Sequence, residues 1–187
     1  MQQRFTFLLI SIFCFIFQLQ AQLPEIRFMC GYDQDAILST TKGTRPAPRA
    51  YLDTLYIRRH LDNFADGASY LVPKDVLDRF GRDRLGRNDG QFVMAKPEMD
   101  ALLKKAGSDM TVIETELGIP AGAWKGRPIV RIDIANPREL RLRMPSGNEG
   151  GANELWLPGG FLPNGYREAV CDPIVIGRYT ETLLELK

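Results

Sequence analysis

The sequence predicts an α+β domain, with helices gathered toward the front and short strands spread along the rest. Apolar residues recur at helical spacing between Asp53 and Leu117, while strict alternation over Ile129–Ile134 marks a half-buried strand. Further short apolar runs, each closed by glycine or proline, continue toward the C-terminus. The regular strand–helix alternation of a doubly wound sheet is missing, and so are the G-x-G-x-x-G, Walker and G-x-S-x-G motifs.

The first expected segment is not part of the domain. Arg4 precedes Phe5–Phe17, a largely apolar run of 13 residues, and Ala21 supplies the small residue of a cleavage site. This reads as a secretory signal over residues 1–21, since a membrane span needs about 20 apolar residues. Residues 22–52 read as an N-terminal arm or linker, rich in Gly43, Pro46 and Pro48, and residues 53–187 as the folded domain. The expected location is secreted or periplasmic, with no membrane contact after signal cleavage. Cys30 and Cys171 stay in the mature chain, and an oxidising compartment leaves them either paired or free. Two cysteines and one histidine give too few ligands for zinc, and no Asp-rich loop suits calcium, so no metal is expected. A formal charge of +1 over 187 residues gives no global attraction to nucleic acid or anionic lipid.

The domain elements follow in order. Ile57, Leu61 and Phe64 are spaced four and three apart, one face of a helix that Asp66-Gly67 ends. His60, the single histidine, is a candidate for acid–base work but reads better as a surface residue. Ala68–Val72 is a short strand, and Lys74–Phe80 one or two helical turns. Gly81–Gly90 reads as a solvated, arginine-rich loop, with a phosphate-binding patch the alternative. Asn88-Asp89-Gly90 turns into a strand over Gln91–Met94. Pro97 opens a helix with Met99, Leu102, Leu103 and Ala106 inward; Ser108 caps a second, with Met110, Ile113 and Leu117 inward. After Ile129–Ile134, the alternation of Leu140 and Leu142 with arginines predicts another strand, as does Ala169–Ile176, where Pro173 implies an edge or bulge. Leu183, Leu184 and Leu186 extend a last one.

The stretch Ser146–Gly160 concentrates the candidate chemistry. Its glycines predict a mobile loop up to Gly151, and Asn153–Leu157 alternates as a strand with Glu154 and Trp156 on one side. A carboxylate at a strand start behind a flexible loop suits catalysis, although a plain surface glutamate has the same signature.

Three segments in this order resemble the catalytic domain of cholera-type bacterial ADP-ribosylating toxins: Asn88–Gly107, Ile129–Pro137 and Gly151–Val170. The GQF, VRIDI, PSGNE, GANE and PGG landmarks, over about 110 residues from Ala68 to Ile176, are similar to C-terminal toxin domains of bacterial polymorphic toxins. The resemblance implies an ADP-ribosyltransferase-like split β-sheet core with flanking helices, and NAD as substrate. It implies Glu154 as the catalytic carboxylate, and Ser69, Tyr70, Phe92 and Trp156 around NAD. Asn148, Glu149 and Asn153 fall on the loop that presents an acceptor. The activity so implied is mono-ADP-ribosyl transfer or NAD hydrolysis, with a macromolecular acceptor and a possible inhibitor (immunity) protein as partners. Departures from the family pattern are clear. The strand Ala68-Ser69-Tyr70-Leu71 lacks the family's basic residue, Val93-Met94-Ala95 stands in place of Ser-Thr-Ser, and Ala152 stands where arginine-modifying relatives carry a second glutamate. Two alternatives therefore stay open: a degenerate, non-catalytic binding module of the same fold, and a metal-independent ribonuclease using His60.

Overall fold

A computed structural model describes residues 25–186, and the predicted signal over 1–21 lies outside them. The fold is α+β. Its centre is a five-stranded antiparallel sheet, and the register explains how one sequence period generates two packed faces. The strands are β1 (Ala68–Pro73), β3 (Gln91–Ala95), β4 (Ile129–Ile134), β5 (Glu168–Cys171) and β7 (Thr180–Leu184), in the order β5-β3-β1-β4-β7. A two-stranded sheet pairs β2 (Arg84–Leu85) with β6 (Ile174–Val175).

On one face, Ala68 and Tyr70 of β1, Val93 and Ala95 of β3, and Val130, Ile132 and Ile134 of β4 meet Ala169 and Cys171 of β5. They are covered by Phe64, by Leu77 of α3 (Lys74–Phe80), and by Leu85 and Ile174. The other face carries Ser69, Met94, Asp133 and Glu168 in one row, because Ser69 pairs with Met94 and Asp133, and Met94 pairs with Glu168. Helix α4 (Lys96–Ala106) lies across this face through Met99 and Leu102, with α5 (Met110–Leu117) beside it. Ile132 is fully buried at the middle of the sheet, so Ile132→Val is expected to cost about 1 kcal/mol, read as a shift in the urea midpoint at constant slope.

Several elements differ from expectation. The supposed arm is part of the core. A short helix, α1 (Gln34–Leu38), is capped by Asp33, and Ile37, Tyr51 and Leu52 are essentially inaccessible. The main chain pairs Met29 with Tyr51 and Arg27 with Asp53. These residues pack on α2 (Thr54–Asp62) and on Trp156 and Phe161 in a second cluster. The periodic signal was short because this segment is held by turns. α2 is capped by Asp53, and α5 by Asp109, not by Ser108.

Pro137–Leu140 forms a 3₁₀ turn, not a strand, and Arg141 takes φ 52°. The chain regains sheet geometry only at Arg143, which pairs with Val170. Pro173 splits the expected Ala169–Ile176 strand, so β5 and β6 belong to different sheets. The arginine-rich loop contains β2, and Arg82 is spent on Asp78 and Glu181. Cys30 is exposed and Cys171 is buried, and the two are not bonded to each other, so the candidate disulfide is not formed among the described residues.

Candidate functional site

The strongest site is a cleft of about 270 Å³ on the Met94 face of the sheet. Its floor is Phe92 of β3 and Glu168 of β5, which lie on the same face because Phe92 pairs with Val170, two residues beyond Glu168. One wall is the end of α5, with Leu117, Gly118 and Ile119; the other is Gly151–Asn153 with Leu155, Trp156 and Leu162. Arg87 stands at the rim, exposed and without a carboxylate partner among the described residues.

Glu168 is the group that sequence reading passed over. Its backbone is fixed from both sides: the N–H donates to the Gly160 carbonyl (2.8 Å) and the carbonyl accepts from His60 Nε2 (3.0 Å). Its carboxyl makes no hydrogen bond or ion pair with the described residues. Some accessible surface remains at the cleft, yet the protein packed around the carboxyl dominates. Burial, together with the nearby negative charge of Glu149, pushes it up to about 8. A carboxyl that titrates near neutrality in a cleft is a functional signature with a physical cause.

Glu149 stands behind it and is itself 7% exposed. Its Oε1 accepts from the Ser146 N–H and hydroxyl, both at 3.0 Å, whereas its buried Oε2 has no partner among the described residues. The Ser146–Gly151 loop is therefore pinned, contrary to its glycine content. Asn148 Oδ1 accepts from the Gly43 (2.7 Å) and Arg45 (3.2 Å) N–H groups, and its Nδ2 donates to the Arg45 carbonyl. Asp89 receives the Gly150 N–H, and Lys42 donates to the Ala152 carbonyl at 2.6 Å. Gly147 takes φ 76°, and a Cβ there would lie 2.6 Å from Trp156, so only glycine fits this crossing.

The expected strand Asn153–Leu157 is a turn. Asn153 Oδ1 accepts from Leu155 N–H, an Asx turn that draws the chain away from extended geometry. Trp156 is buried at 3% exposure beneath the Arg45 guanidinium, 4.6 Å from its ring centroid. Its indole N–H has no partner among the described residues. Glu154 sits exposed on this turn; its neighbours Asn153 and Leu155 line the cleft and Glu154 does not.

The remaining sequence candidates divide between the faces. Phe92, Trp156 and Asn153 reach the cleft. Ser69 shares its face but is buried and engaged, donating to Asp133 and receiving Arg131 Nη2 at 3.3 Å. Tyr70 points to the opposite face, where burial raises its phenol far above the ordinary range. Asn148 and Glu149 are structural partners of the loop. His60, read as a surface residue, is 4% exposed, and burial lowers it to about 4. It packs edge-on against Phe161, with ring centroids 5.1 Å apart.

Among the described residues no group of three or more His, Cys, Asp or Glu side chains converges as for a metal, and no helix is long and apolar enough to cross a membrane. The fold and cleft thus define an α+β domain with a titratable carboxyl facing a small, part-aromatic pocket. No family model matches the chain. It is 36% identical over 73 residues to glutamyl-tRNA reductase of Bacillus subtilis, a stretch that spans 38% of this chain and 16% of that protein. So small a share shows no family.

Proposed function

We propose that this chain is an exported, toxin-like enzyme of ADP-ribosyltransferase type that consumes NAD in the Glu168 cleft. The observation that carries the reading is a partnerless carboxyl beside the Phe92 ring, at the floor of a pocket with a free arginine at its rim. A cavity of this size lies near the lower end of small-molecule sites and suits the nicotinamide–ribose half of a dinucleotide. The nicotinamide ring stacks on Phe92, and its positive charge favours the ionised form of Glu168. Arg87 then faces the pyrophosphate.

In the proposed step, the bond between the ribose anomeric carbon and the ring nitrogen breaks, and its electron pair leaves with neutral nicotinamide. The oxocarbenium-like ribose is stabilised by the Glu168 carboxylate. Water, or a hydroxyl or amide group of an acceptor, supplies the nucleophile, and its proton passes to that carboxylate. This assigns to Glu168 the role that motif resemblance gave to Glu154.

The direct test incubates the protein, residues 22–187, with NAD and follows nicotinamide. Time-dependent release is expected, without added metal. NAD binding without release favours the second reading, a non-catalytic module. That reading draws on Glu154 lying outside the cleft and on Ser69 being locked to Asp133. Neither binding nor release overturns both. The ribonuclease alternative is the least favoured, because the Nε2 of His60 is committed to a main-chain carbonyl and is not open to a substrate hydroxyl.

A further inference from the structure

We propose that a hollow on the other side of the β5 entrance, bounded by Arg27, Arg59 and Arg167, is a second site, for a phosphate monoester. The hollow measures about 260 Å³, and Tyr56, His60 and Phe161 form its walls. Arg167 and Glu168 are successive residues that line different concavities, so this site is separate from the cleft. The inference does not rest on the NAD reading.

Three arginines line it from three separate parts of the chain: the N-terminal segment, α2 and the residue preceding β5. Only Arg167 has a carboxylate partner, Glu98; Arg27 and Arg59 have none among the described residues. Glu25 also lines the rim, and with Glu98 it leaves one uncompensated positive charge at the site.

His60 adds an independent observation. Its Nε2 faces a carbonyl, which only accepts, so Nε2 carries the proton and Nδ1 carries the lone pair. Nδ1 is buried and has no partner among the described residues, on a side chain that is 4% exposed and belongs to the lining of the hollow. A ligand with anionic oxygens for the arginines and a proton for this nitrogen completes the set. A phosphate monoester offers three terminal oxygens to three guanidinium forks and carries an exchangeable proton near neutral pH, whereas a planar carboxylate offers two oxygens. The ester substituent lies against Tyr56 and Phe161.

Since His60 is the only histidine, its imidazole nitrogens report on the site without ambiguity in a nitrogen-edited NMR titration. Inorganic phosphate and ribose 5-phosphate are added to the whole mature chain at constant ionic strength, with chloride and acetate as controls. Saturable movement of the His60 signals is expected with both phosphates, at least about 10-fold tighter than with acetate. Arg59→Ala and Arg27→Ala, both at exposed positions, are each expected to weaken binding about 10-fold with the thermal midpoint unchanged. A response that matches chloride, equal affinity for acetate, or unchanged affinity in both variants overturns the assignment.

Discussion

Glu168→Gln is expected to lower nicotinamide release about 100- to 1,000-fold at pH 8, while Glu154→Gln stays within about threefold of wild type. The substitution conserves size and shape, so the floor of the cleft is kept and only the ability to ionise is lost. An amide cannot offset the positive charge that develops on ribose, so the deficit should fall on kcat more than on KM. Glu154 stands on an exposed turn outside the cleft lining, so a comparable loss is not expected from it. Glu149→Gln gives a graded companion result. Its charge is one of the causes that raise Glu168, so its removal should move the rising limb of the pH–rate profile to lower pH. Initial rates on the three variants decide the matter. Activity that survives Glu168→Gln but vanishes with Glu154→Gln would return the chemistry to the exposed turn and sink the assignment.

The framework of this fold was legible where one period ran long enough to dominate. Val130, Ile132 and Ile134 alternate without interruption, and all three are buried on one face of β4. Met99, Leu102 and Ala106 recur at helical spacing and are buried beneath α4. The site was harder to read, because local patterns there are overruled by distant contacts. The Leu155-Trp156-Leu157 alternation imitates a strand, yet the Asn153 side chain folds it into a turn and Arg45 covers the tryptophan.

Glycines in Ser146–Gly151 suggest mobility, but hydrogen bonds reach that loop from Gly43 and Arg45, more than 100 residues earlier. No window of sequence contains both ends of such bonds. One overlooked signal was local. Glu168 opens a strand whose next three residues are all buried, and a strand covered on both faces encloses its charged member too.

The thermal stability of the wild-type protein is expected to fall between pH 6.5 and 8, by about 2 kcal/mol, and Glu168→Gln is expected to remove that fall. Two buried groups with opposite shifts set this window. Glu168 rises from 4.5 to about 8 in the folded chain, so between those values the folded state holds more protons than the unfolded one. Its contribution is complete below pH 4.5 and is lost as pH climbs through 8. His60 falls from 6.5 to about 4, so its contribution is complete above 6.5 and is lost as pH drops toward 4. From pH 4.5 to 6.5 the two slopes oppose and nearly cancel, leaving a plateau. Above 6.5 only the glutamate slope persists, because the histidine is neutral in both states. The salt-bridged Asp100 and Glu116 carboxyls are held below their ordinary values, so they withdraw stability only at the acid end. In Glu168→Gln the histidine slope is exposed, and stability should climb by about 3 kcal/mol from pH 4 to 6.5 and then stay level. Thermal midpoints measured in overlapping buffers at fixed ionic strength give both curves. A wild-type midpoint that stays level from pH 6.5 to 8, or a decline that persists in the glutamine variant, would mean that the Glu168 carboxyl is already ionised at neutral pH, and the proton-coupled cleft would lose its basis.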